Sequence, residues 1–427
     1  HMYQMLHDIR QNGLGYLSLS RSIPSLSGGE LQKLNFAKLN SSEVTGLLVV
    51  IDEISSQVHA SDYKILIDGI TSIKERGNTV ILVEHNELFV KHSDYVIEIG
   101  PKSGSEGGYL LEHFPPSQDD LYFSTKQIVP DEFFTIENVS KNNVKSLSIS
   151  FPQHAISILV GKSGSGKSSI AKYIHENIED TIYVSQELIK GNIRSTVATL
   201  TGANKKISKL FSKYFDKEEA YFSISDSSPL VCRDCQGKGV IRLSRSFEQD
   251  IEITCPSCEG KLFGPEANNY KTNNLSIRDI YDLSFDEISR LGLDWLEPIS
   301  ASAIKLGLGH LSLNRKSQTL SGGELKRIKI LINLPIRNRS KKILLIDEPG
   351  SGLDDKTTAN VMRFIASFRQ NYKSIIIIDH KPSVFMSADH VIEIGPESAA
   401  NGGQIIFTGS AKKYYDEKYL GYISPLI

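Results

Sequence analysis

Apolar runs at 47–51, 155–160 (AISILV), 343–346 and 375–378 (IIII) stand out along the chain. Each predicts a strand, and the β-branched run at 155–160 predicts a buried one. A Gly- and Ser-rich loop follows it, and SIAKYIHENI (169–178) then predicts a helix. Residues 26–30 and 320–324 both read LSGGE, and each opens an amphipathic stretch. The serine of each is placed as an N-cap that starts a helix. VIRLSRSFEQDIEI (240–253) alternates apolar with polar and predicts a hairpin. No run of ~18 apolar residues occurs, so no membrane span is expected.

Part of the pattern occurs twice. LSGGE recurs at an offset of 294, LVVIDE (48–53) and ILLIDE (343–348) at 295, and Glu84-His85 matches Asp379-His380. YVIEIGP (95–101) matches HVIEIGP (390–396), and Gly107-Gly108 matches Gly402-Gly403. A period this long describes two related domains and not a solenoid. Only the second copy has a full leading stretch, 121–310, so 1–120 reads as the rear of one domain and 121–427 as a complete one. Within it, 190–340 would form a signature region, with a cysteine module at about 228–265. The chain starts at His1-Met2, which is expected to be a cloning remnant with natural sequence upstream.

Composition adds little beyond exclusions. With 427 residues, two or three domains fit at ~150 residues each. Forty-eight basic and 50 acidic residues leave a formal charge of -2, which excludes a histone-like nucleic-acid binder but leaves room for a local basic path. Four cysteines and no secretory signal argue against a disulfide-stapled secreted fold.

The candidate chemistry is specific. Gly161-Lys-Ser-Gly-Ser-Gly166-Lys167-Ser168 fits G-x-x-x-x-G-K-[ST] between strand and helix. Such glycines let backbone N–H groups turn toward phosphate oxygens. Lys167 can then reach the β and γ phosphates, and the Ser168 hydroxyl can ligate Mg²⁺. Asp347 and Glu348 end a strand, where an acid can hold Mg²⁺ through water and a second can orient or deprotonate an attacking water. His380 follows another strand and could contact a γ-phosphate. Asp52, Glu53 and His85 form the matching set in copy one. Cys232-x-x-Cys235 and Cys255-x-x-Cys258 have the spacing of a closed tetrahedral Zn²⁺ site. Gly237, Gly239 and Gly260 follow the pairs, as knuckle turns need. Arg242 and Arg245 on the hairpin could touch DNA phosphates, or the hairpin could simply be solvated.

Phosphate loop, LSGGE, Asp-Glu and His together resemble the ABC-type ATPases. That resemblance implies an α/β P-loop NTPase fold in which the loop of one domain faces the LSGGE of the other across ATP. The complete site would combine Gly161, Ser163, Gly164, Ser165, Gly166, Lys167, Ser168, Ser169, Gln186, Asp347, Glu348 and His380 with Ser27, Gly28 and Gly29. Glu348, His380 and Gln186 would be its catalytic groups. A second half-site, without a phosphate loop in this chain, would hold Asp52, Glu53, His85, Ser321, Gly322 and Gly323.

The inserted cysteine module narrows the resemblance. LSLSRSIPSLSGGELQKLNFA (17–37), RSTVATLTG (194–202), CRDCQGKGVI (232–241), CPSCEGKLF (255–263) and NTVILVEHNE (78–87) resemble UvrA-like proteins, damage-sensing ATPases of bacterial nucleotide excision repair. This implies ATP, Mg²⁺ and Zn²⁺ as cofactors, duplex DNA as partner, a homodimer and a cytoplasmic setting. The family's UvrB-binding region would lie before residue 1, so contact with a UvrB-type helicase is not expected of this chain. Ile54 replaces an expected Pro, 55–58 lacks a Gly-Leu pair, and Asp379 replaces Glu. These departures suggest a divergent paralogue. Three functions follow as expectations: a repair ATPase, a drug self-resistance ATPase, and a soluble ATPase energising another machine.

Overall fold

The computed structural model describes residues 2–23, 26, 28–42, 45–56, 58–100, 108–111, 127–185, 194–245, 248–334, 339–396 and 402–426. The chain divides into two compact units, one formed by 1–185 with 337–427 and the other by 186–336. The division follows packing and not the sequence repeat: copy one shares a unit with the phosphate-loop sheet.

The first unit begins with copy one. Helices α1 (Met2–Ile9) and α2 (Gly28–Asn40) precede β1 (Leu48–Asp52), α3 (Tyr63–Glu75), β2 (Thr79–Val83), α4 (Glu87–Lys91), β3 (Glu98–Gly100) and β4 (Tyr109–Leu111). β1 and β2 pair in parallel, from Leu48 opposite Thr79 to Asp52 opposite Val83. Their alternate residues face opposite ways, and Leu48, Val50, Ile81 and Val83 stand exposed. Next come the hairpin β5 (Phe133–Lys141) and β6 (Val144–Pro152), then β7 (Ile156–Val160), α5 (Lys167–Asn177) and β8 (Thr181–Val184).

The second unit opens with α6 (Val197–Thr201) and α7 (Ala203–Phe215). The hairpin β9 (Val240–Arg245) and β10 (Glu248–Thr254) and the short pair β11 (Lys271–Thr272) and β12 (Leu275–Ser276) follow. Helices α8 (Ile277–Asp282), α9 (Phe285–Arg290), α10 (Glu297–Lys305) and α11 (Gly322–Asn333) complete it. The alternating stretch at 240–253 folds as the expected antiparallel pair. Ser276, Ser284 and Ser321 each start a helix through a reciprocal capping box.

The chain then returns to the first unit with β13 (Arg339–Asp347), α12 (Asp355–Ala366), β14 (Tyr372–Ile378), α13 (Pro382–Phe385), β15 (His390–Gly395) and β16 (Gln404–Gly409). The six-stranded sheet runs β16-β15-β7-β14-β13-β8, parallel except for β16. All five residues of β7 are buried, which explains a run with no alternation. Ile136, Ile149, Phe151, Leu159, Ile170, Leu345 and Ile376 share one apolar core. β14 lies between β7 and β13, so the loops after all three open side by side at the sheet's C-terminal edge. That is where an open parallel sheet presents its ligand crevice.

Ile376→Ala, which empties the centre of this core, is expected to lower unfolding free energy by about 2–5 kcal/mol. Urea unfolding followed by far-UV circular dichroism measures it.

Candidate functional site

The loop after β7 is shaped by close approach. Gly161 has φ 136°, and a Cβ there would collide with the Ile394 carbonyl of β15. Only glycine permits both. Asn143, in the turn between β5 and β6, donates through Nδ2 to the Gly164 carbonyl at 3.0 Å. Asn142 donates to Ser169 Oγ at 2.9 Å, and the Gly403 amide donates to the Ser165 carbonyl at 2.9 Å. Ser163 and Ser165 are buried, and Ser168 at the mouth of α5 is exposed. Lys167 is buried, and its ammonium donates to the carbonyls of Gly161 and Lys162 at 2.7 Å each. Burial pulls its pKa down to about 8, against the attraction of Glu348 and Asp347.

Both Asp-Glu pairs adopt the same unusual backbone. Glu348 has φ 48° and Glu53 φ 45°, rare for residues with a side chain. Each glutamate amide donates 2.8 Å to the strand lying beside it, Glu348 to Ile378 O and Glu53 to Val83 O. The strained turn recurs where the repeat recurs, so it belongs to the site and not to local accident.

In the second copy Asp347 and Glu348 are buried, and Tyr183 donates to Asp347 Oδ2 at 3.4 Å. In the first copy Asp52 is exposed, and half-exposed His85 lies 3.9 Å from Glu53 Oε1 through Nε2.

The acid before each histidine anchors its loop. Asp379 accepts from the amides of His380 (2.6 Å), Lys381 (2.9 Å) and Gly350 (3.4 Å). Glu84 accepts from Ser55 N (2.7 Å), Ser55 Oγ (2.9 Å), His85 N (3.0 Å) and Asn86 N (3.2 Å). The departure at 379 therefore preserves the loop anchor. His380 has an enclosed Nδ1 with no partner among the described residues, and burial beside Lys167 pushes its pKa well below the usual range.

The first LSGGE lies against the phosphate loop. Gly28 and Gly29 open α2, and Tyr16 donates to Glu30 Oε1 at 2.6 Å. A Cβ at Gly164 would meet the Tyr16 hydroxyl at 2.7 Å and Glu30 Oε1 at 3.2 Å. Lys33 of α2 pairs with Asp62, which also lies 4.0 Å from Lys162. A cavity of about 250 Å³ is lined by groups of both copies, among them Glu53, His85, Glu348, His380 and Tyr419.

Ser27 and Gln186 lie outside the described residues. Ser321 caps α11 in the second unit, where Gly322 and Gly323 form the first turn and His310 bonds Glu324 at 2.9 Å. Asp52, Glu53 and His85 belong to the first unit.

The four cysteines converge in the second unit. All are buried, and their sulfurs lie within 4.8 Å of one another. Cys232–Cys255 and Cys235–Cys258 are 3.9 and 3.5 Å apart. Sulfurs ~2.3 Å from a tetrahedral ion sit about 3.8 Å from each other, so the set fits Zn²⁺. Two matched turns build it: Lys238 N donates to Cys235 O at 2.9 Å, and Lys261 N to Cys258 O at 2.8 Å. The Gly239 amide points at Cys235 Sγ from 3.2 Å. The side chains of Arg242 and Arg245 are outside the described set.

Tyr16, Asn143 and His59 escape sequence reasoning, since none carries a motif assignable to a phosphate site, and Glu30 and Gly403 enter it only as parts of the repeat. The repeat itself held one signal: His59 falls where copy two has Asp354.

The sheet, phosphate loop and strand-end acids define an ABC-type P-loop NTPase fold. A family model described as ABC transporter matches residues 144–351. Within that class the chain is UvrA-like. It is 32% identical to UvrABC system protein A of Helicobacter pylori over 95% of its length and 48% of that protein. The corresponding protein of Streptococcus pyogenes is 30% identical over 96% of this chain and 49% of its own length. The crystal structure of UvrA2 from Deinococcus radiodurans aligns with a TM-score of 0.86 at 26% identity, covering 99% of this chain and 57% of that one. The chain thus spans about half the length of the curated relatives it matches, corresponding to their C-terminal part. Among the described residues no helix is long and apolar enough to cross a membrane.

Purified protein is expected to carry about one zinc per chain, and Cys232→Ser to lower that sharply, because three thiolates leave the tetrahedron open. Elemental analysis decides it, and a value near zero for the parent protein would remove the assignment.

Proposed function

We propose that this chain is a DNA-binding ATPase of excision repair or damage recognition, working by ATP-driven closure of its two ABC copies. The observation that carries this is the first LSGGE region lying against the phosphate loop, with Tyr16 and Glu30 beside Gly164. ATP phosphates would lie among the loop amides and Lys167, with Gly28, Gly29 and Ser27 closing from copy one. Ser168 and Asp347 would hold Mg²⁺, which neutralises charge on the β and γ oxygens when bound. Glu348 would orient or deprotonate the attacking water, Gln186 would be a further catalytic group, and His380 would meet the γ-phosphate. Its buried, neutral imidazole suits hydrogen bonding better than ion pairing there.

The matching residues of copy one, Asp52, Glu53 and His85, would belong to a second half-site. In this reading 1–120 acts as the rear of one ABC domain, and 121–427 as a complete one carrying the signature region. The zinc module would be structural, holding the β9–β10 hairpin for contact with duplex DNA. A homodimer and a cytoplasmic location fit this reading, as does the UvrA-like class. The name of the curated relatives, UvrABC system protein A, supports repair over transport.

Lys167→Ala is expected to abolish ATP binding, read by fluorescence of a labelled ATP analogue. Retained full-strength binding would reveal a site elsewhere. In the parent protein, duplex DNA is expected to stimulate phosphate release, and Glu348→Gln to reduce that release by about 10²-fold or more while ATP still binds. Turnover indifferent to DNA would favour an ATPase serving another machine. Equal response to lesion-bearing and intact duplex, with a stronger one to intercalator-loaded duplex, would favour drug self-resistance.

A further inference from the structure

The two copies differ at one buried position beside the phosphate loop. Counting by the repeat offset, His59 occupies the place of Asp354. Asp354 is an ordinary N-cap for α12, accepting from the Thr357 amide at 2.9 Å. His59 performs the same task with its ring, accepting through Nδ1 from the Ser61 amide at 3.3 Å. The ring is larger than a carboxylate and continues past the cap. Its edge meets the His380 imidazole, with centroids 6.1 Å apart and planes at 86°. It also meets Tyr422, with centroids 5.0 Å apart.

The cap determines which nitrogen carries the proton. A backbone N–H can only donate, so Nδ1 is the acceptor and the proton of the neutral ring is on Nε2. That Nε2 lies 3.6 Å from Glu393 Oε1, which also accepts from Tyr422 at 2.8 Å. Glu393 is buried on β15, next to the Ile394 carbonyl that shapes the phosphate loop at Gly161. An aspartate at 59 would place a second carboxylate beside Glu393 and near His380. A histidine puts a neutral edge there instead.

We propose that His59, supplied by the first copy, is a positioning residue for His380 in the phosphate-loop site of the second. It fixes the orientation of that imidazole and keeps a further carboxylate from the capping position beside it. The inference rests on the ATPase reading and adds to it a route by which copy one governs the histidine of copy two. Burial holds His59 neutral, its pKa pulled down to about 3, with Asp62 opposing and Lys167, Lys162 and Lys33 reinforcing. Burial, reinforced by the charges of Lys167 and Lys33, keeps the proton off His380 as well.

Two variants separate capping from ring contact. His59→Asn keeps an N-cap acceptor and removes the ring, whereas His59→Phe keeps a ring edge and removes the cap. With full-length protein, His59→Asn is expected to lower kcat for ATP about tenfold or more with KM nearly unchanged, and His59→Phe to recover part of the loss. A readout independent of turnover is the His380 ring resonance in ¹³C-histidine NMR, assigned through His380→Gln. It is expected to shift in His59→Asn. In His59→Asp it should titrate closer to the ordinary histidine range, because an added anion favours the imidazolium. Unchanged kcat, a loss confined to KM, or an unmoved His380 resonance each overturns the proposal. Should the parent protein fail to hydrolyse ATP, the ATPase reading falls, and the resonance alone decides the role of His59.

Discussion

A lysine ammonium buried in the first turn of α5, just past the phosphate loop, is the constraint around which the first unit is organised. Lys167 loses most of its hydration, and only nearby oxygen can offset that loss. Two loop carbonyls accept from it at 2.7 Å, and Asp347 and Glu348 supply the compensating charge. Those groups come from β7 and β13, which β14 separates by one strand. The strand order, the buried β-branched runs and the strained turn at Glu348 together bring carboxylates and ammonium to one crevice.

The same constraint explains why the two copies have diverged. Around the phosphate loop the acids are buried and charge must be balanced closely. In copy one, Asp52 is exposed, so its carboxylate is under no such constraint. Yet copy one keeps the turn at Glu53, the loop anchor at Glu84 and the hydrogen bond from the Glu53 amide to the Val83 carbonyl. What it retains is backbone geometry, while at least one side chain that differs, His59, reaches the other copy. It lies where the elements of the two copies meet inside one unit.

Most of the candidate site was legible because its parts are local. G-x-x-x-x-G-K-[ST] needs only a strand before it and a helix after it, and strand, loop and helix are contiguous. The cysteine pairs were legible for a similar reason: two short knuckles at metal-ligand spacing need little more than a hairpin between them. The contacts of Tyr16 with Glu30 and Gly164, of Asn143 with the loop carbonyl, and of Gly403 with Ser165 were not legible. They join residues up to about 240 positions apart, and at least one partner in each, Tyr16, Asn143 or Gly403, has no phosphate-binding motif of its own.

The sequence by itself determined the duplication, the buried strands, the helix start at Ser321, the phosphate-loop pattern and the paired spacing of the four cysteines. Each of these follows from periodicity or from chemistry within a few residues. Tertiary structure alone decided that copy one packs with the phosphate-loop sheet in one unit, while the cysteine module and the second LSGGE form another. It also decided that His59 meets His380 across more than 300 residues of chain. The physical reason is that burial and neutral protonation are properties of an assembled environment. A histidine reads the same in any sequence, and only packing determines which ring, carboxylate and ammonium surround it.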